Sequence, residues 1–106
     1  SATDISSADL IITANNGYVG ASGTNNELDT DVDTITAAVN GNIYILENNA
    51  VSLLSIVTTS GVVDIEAGGT ITTTTVTANG GYAVNLDATS GNIYDAAGGM
   101  ITASAK

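Results

Sequence analysis

Short runs in which aliphatic and polar residues alternate recur along the chain: Ala8–Ala14, Asn42–Leu46, Val63–Ala67 and Val84–Ala88. One parity is apolar and the other mostly polar, which predicts short strands with one face buried and one in water. Between them stand turn formers that tolerate positive φ, among them Asn40-Gly41, Ser60-Gly61, Gly80-Gly81 and Ser90-Gly91. The chain is rich in Thr, Val, Ile, Asn and Gly and has neither Pro nor Phe, a strand-and-turn composition with almost no helix signal.

The turns recur too often for the long strands of a sandwich. Gly41, Gly61 and Gly81 fall twenty residues apart, the length of one coil of a solenoid. Three short faces per coil follow. The first holds Thr34–Ala37, Leu54–Val57 and Thr75–Ala78. The second holds Ile43 and Ile45, then Val63 and Ile65, then Val84 and Leu86. The third holds Val51 and Leu53, then Ile71, then Ile93. The tetrapeptide Gly-Asn-Ile-Tyr occurs at Gly41–Tyr44 and at Gly91–Tyr94, on the second and third faces respectively. It reflects one grammar used at every corner, with Gly turning, Ile pointing in and Tyr pointing out.

The predicted fold is all-β, a parallel β-helix of about four coils of three short strands, with residues 1–106 as a single unit. In the opening coil, Leu10 and Ile12 fit the second face and Val19 the third, while Met100–Ala103 reads as a first face. If Lys106 were followed by another Ser1, the strand at Ile101 would complete the coil that begins at Leu10. Four coils at about 4.8 Å would give a unit of about 19 Å. The expected head-to-tail interface is then Leu10, Ile12, Tyr18 and Val19 at one end and Ile93, Tyr94, Ile101 and Ala103 at the other. Tyr18 and Tyr94 are expected on adjacent coils of one face. Gly20–Asp33 is too long for a corner and is expected to bulge as a loop from the third face, pinned by Leu28 and Val32.

Charge and missing residue types narrow the chemistry. Eleven acidic residues against one basic residue, Lys106, give a net charge of −10, so nucleic acid and anionic membrane are poor partners. The chain has no Cys, His, Arg or Trp, hence no thiolate, imidazole or guanidinium for catalysis or anion binding. No apolar run approaches the length needed to cross a bilayer.

The segments Gly41–Thr72 and Ala83–Ala103, together with the stretch GASGTNNELDTDVDTITA at Gly20–Ala37, resemble the repeats of very large bacterial surface proteins of the filamentous haemagglutinin type. The resemblance implies a right-handed parallel β-helix, secretion to the cell surface, and a role as an adhesin stalk or filament. It brings no catalytic residues.

Several residue groups are candidates for chemistry. Glu27, Asp29, Asp31 and Asp33 form the densest acidic cluster, and carboxylates spaced by two on an extended segment can supply the oxygens of a Ca2+ site. The competing reading is a solvated acidic loop. Asp64, Glu66 and Asp87 lie at outward positions on neighbouring coils, but without an aromatic sugar platform or a cation they do not make a glycosidase. The threonines between Thr70 and Thr77 invite an ice-binding reading, which fails because the run turns a corner. The expected function is structural, an extracellular solenoid unit stacking on identical units as tandem repeats or separate subunits. The alternative is an adhesive module that binds carbohydrate or a host surface through the Gly20–Asp33 loop. No cofactor is required and no enzyme activity is expected.

Overall fold

The computed structural model describes residues 3–23 and 26–103, with only the backbone of Ala97. These residues form eight strands and no helix: β1 (Ile5–Ala14), β2 (Leu28–Val39), β3 (Ile43–Glu47), β4 (Val51–Thr58), β5 (Val63–Ala67), β6 (Ile71–Ala78), β7 (Val84–Ala88) and β8 (Ile93–Ala103). Every pairing is parallel, and neighbours in space are about one coil apart in sequence. The protein is a parallel β-solenoid of about five turns.

Three stacks carry the fold. β1, the second half of β2, and the second halves of β4, β6 and β8 lie one above another on the first face, aligning Ile12, Ala37, Ile56, Val76 and Ile101. β3, β5 and β7 make the second face, aligning Ile43, Val63 and Val84, then Ile45, Ile65 and Leu86. Val51, Ile71 and Ile93 align on the third face. Because side chains alternate across each strand, every second residue enters the core. Like therefore stacks on like, and Ile43, Ile45, Ile56, Val63, Ile65, Ile71 and Val76 are completely or almost completely buried.

Between the third and first faces the chain bends without a turn. The register slips there, leaving Leu54 unpaired opposite the step between Ile35 and Thr36. Corners between the first and second faces need glycine: a Cβ on Gly61 would strike the backbone of Gly41 and Asn42 directly below. The Asn42 Oδ1 accepts from the Val62 N–H at 2.9 Å, tying successive corners together.

Four details depart from the sequence reading. About five turns are present instead of four, and the handedness also differs from the right-handed expectation; that expectation came from the resemblance, since residue spacing carries no handedness. Leu10 and Ile12 pair with Ile35 and Ala37, so they belong to the bend and the first face, while Val19 bridges Ile43 on the second face. The loop is shorter than expected, because β2 begins at Leu28. Finally, the loop interrupts the second face, since Val19 pairs with Ile43 and Leu28 with Ile45.

Candidate functional site

Three places hold the residues singled out above. The first is the pair of outermost rungs. Among the described residues, Leu10 and Ile12 lie on β1, which pairs with β2 alone, and Ile93, Tyr94, Ile101 and Ala103 lie on β8, which pairs with β6 alone. Ile93 and Ile101 are each 46 % exposed, although Ile71 and Val76 beneath them are fully buried. Among the described residues no further rung covers Ile93 and Ile101, while the ladder of Ile35, Leu53 and Thr73 ends on Asp95, which accepts from the Thr73 hydroxyl at 3.3 Å. Both β1 and β8 occupy the first face, so Ile101 does not complete the coil that begins at Leu10; it shares the ladder of Ile12. Tyr18 precedes the second-face residue Val19, and Tyr94 pairs with Thr72 on the third face. The two tyrosines are thus not on one face. The junction of Lys106 with Ser1 lies outside the described residues.

The second place is the acidic stretch. Asp29, Asp31 and Asp33 lie on one side of β2, in strand and not in loop, but their surroundings separate them. Asp31 Oδ1 accepts from the Asn49 side-chain amide at 3.0 Å, and Asp33 is exposed. Asp29 is 7 % exposed; its backbone N–H donates to Asp4 Oδ2 at 3.1 Å, while its backbone oxygen accepts from the Asp4 N–H. Glu27 Oε1 and Asp29 Oδ1 are buried without a hydrogen-bond partner among the described residues. No group of three or more acidic side chains among those residues is placed to hold a metal ion.

The third place is the outer side of the second face. Tyr44, Asp64 and Asn85 stack in register, as do Leu46, Glu66 and Asp87. Burial lifts the Asp64 carboxyl above the ordinary range, and the carboxylates of Glu27 and Asp87 push it the same way. Contrary to the sequence reading, aromatic side chains do stand here. Tyr44 is one rung below Asp64, and with Tyr18, Gly20, Ala21, Ser22 and Asn42 it lines a cleft of about 300 Å3. The segment before the loop is fastened to the rung above it. The Val19 N–H donates to the Asn42 oxygen, and the Tyr44 N–H to the Val19 oxygen, both at 2.8 Å. Gly20, at φ +65, is where the chain leaves the face, and a Cβ there would collide with the Tyr44 carbonyl and the Leu28 N–H.

One residue with a structural role escaped the sequence reading. Glu47 is 1 % exposed on an inward position. Its Oε1 accepts from Thr30 Oγ1 at 2.6 Å and the Val32 N–H at 3.0 Å, and its Oε2 from the Asn49 N–H at 3.0 Å. It closes the corner over which β2 runs straight. The only sequence signal was that Glu47 continues the inward parity of Ile43 and Ile45.

No protein-family model, curated protein or solved structure matches this chain.

Proposed function

We propose that the chain is a structural unit of an extracellular β-solenoid filament or stalk, of the kind found in bacterial surface proteins of the filamentous haemagglutinin type, stacking on identical units. The observation that carries this reading is the state of the β8 rung. Ile93 and Ile101 continue the aliphatic ladders of Ile71 and Val76 and are half-exposed, with no further rung over them among the described residues. An unpaired parallel edge with an apolar interior is a template for more of the same structure. Both outermost rungs are first-face strands, which brings Ile101 of one unit opposite Ile12 of the next and Ala103 opposite Ala14. The net charge of −10 keeps neighbouring filaments apart laterally. A chain without Cys, His or Arg accords with a structural role.

Five first-face rungs at about 4.8 Å give an axial repeat of about 24 Å, replacing the 19 Å that four coils would give. The test is cryo-electron microscopy of the concentrated protein with and without a calcium chelator. Filaments with the 24 Å repeat support the proposal, and their dissolution on chelation would add Ca2+ at the joint. Discrete monomers under both conditions overturn it.

A further inference from the structure

We infer that the cleft between Tyr18 and Tyr44 is a carbohydrate-binding site for pyranose sugars that carry no acidic group. The cleft, about 300 Å3, is the size of a small-ligand site. Its lining joins two of the four tyrosines of the chain. Tyr18 is 72 % exposed, a large aromatic surface left in water. A tyrosine ring offers a flat apolar face beside a hydroxyl, which matches a sugar ring with its patch of C–H groups and its rim of hydroxyls.

The polar groups fit the same ligand. Asn42 uses Oδ1 to accept from Val62, so its remaining polar atom is the amide nitrogen, a donor. Ser22 adds a hydroxyl that can donate or accept. Among the described residues no aliphatic side chain larger than alanine lines the cleft, which disfavours a purely apolar ligand. Electrostatics sets the sign. Asp64 stands one rung above Tyr44, and Glu27 lies close enough to raise the Asp64 carboxyl. No cation balances them among the described residues, since the one basic residue, Lys106, lies outside these. Uronates, sialic acids and sulfated sugars are therefore repelled, and neutral sugars are accepted. This site does not rest on the proposed filament, because a single chain supplies every lining residue.

The experiment is NMR titration of the 15N-labelled chain with N-acetylchitotriose and cellotriose as neutral probes and sialyllactose as the acidic one. Binding at millimolar concentration by at least one neutral probe is expected, with shifts confined to residues 18–22 and 42–44 and no response to sialyllactose. Tyr18→Ala, at an exposed position, should keep the melting temperature and weaken binding about tenfold. Tyr94→Ala on the third face, whose hydroxyl accepts from the Asn92 side chain, should change nothing. The proposal is overturned if neither neutral probe shifts the cleft, if sialyllactose binds as well as they do, or if the two tyrosine variants lose affinity equally.

Discussion

Ile71 and Ile93 are neighbours on one ladder, as are Val76 and Ile101, yet the lower member of each pair is fully buried and the upper is 46 % exposed. All four are β-branched aliphatics at aligned positions of successive strands, and what differs is the rung above. Burial in this molecule is thus a property of stacking, and each coil completes the core of the coil beneath it. Globular domains close a core by bringing distant segments together, whereas here the core is extended one rung at a time. The middle coils are stabilised from both sides and the β8 coil from one.

The largest expected effect comes from breaking that difference at its strongest point. Ile65→Ala removes a fully buried side chain stacked between Ile45 and Leu86, and should destabilise the monomer by about 3 kcal/mol. Ile101→Ala, at the half-exposed rung, should cost roughly 1 kcal/mol or less, because little buried area is lost. Denaturant unfolding of the two variants measures the gap. Equal losses would show that the β8 rung is already covered in solution. Under filament-forming conditions, the Ile101 penalty should rise towards that of Ile65.

The same comparison explains what could be read from the residues alone. Val63–Ala67 and Val84–Ala88 were legible as strands to the residue, and the three faces of the middle coils followed from the spacing of Gly41, Gly61 and Gly81. Alternation reports which side chains point inward, but not on which face, because all faces share one pattern. The face of Leu10 and Ile12 could be found only by counting back from the regular coils, and the insertion after Val19 spoils that count. The acidic run from Asp29 to Asp33 looked like solvated loop, although Leu28, Thr30 and Val32 alternate with it and Thr30 and Val32 are buried. Of the candidate cleft, Tyr44 was legible as outward-facing and Tyr18 as a neighbour of the inward Val19. Their meeting was not, since it depends on Val19 pairing with Ile43 across the insertion.

Glu47 sharpens the contrast along a single ladder. Thr30, Glu47, Ala67 and Ala88 align on the second face; the two alanines are held by stacking, whereas Glu47 is held by three donors. Glu47→Gln keeps the shape but replaces one acceptor oxygen with an N–H2 group, so at least one buried donor loses its partner. The expected cost is about 2 kcal/mol, read from denaturant unfolding. A neutral substitution would mean that the corner is maintained by the backbone bonds of β2 alone, and hydrogen exchange at Val32 and Asn49 would then remain slow.

Outward positions reverse the lesson, because a register that stacks apolar groups on the inside also stacks charges on the outside. Asp64 is partly desolvated and faces Glu27 and Asp87, and all three influences favour its protonated form. With its folded pKa above the unfolded value of 3.8, the folded state binds the proton more tightly. This group therefore favours folding fully only below the unfolded pKa, and that contribution is lost as pH rises through the folded pKa. Asp64→Asn removes the titration. It should raise the melting temperature slightly at pH 7 and make no such difference near pH 3, where the carboxyl is protonated in both states. Raising the salt concentration should shrink the pH 7 gain by screening Glu27 and Asp87, leaving the part due to burial. A variant less stable than the parent at pH 7 would show that the ionised carboxylate makes a stabilising contact, and that stacking on the outer face carries no electrostatic penalty at this rung.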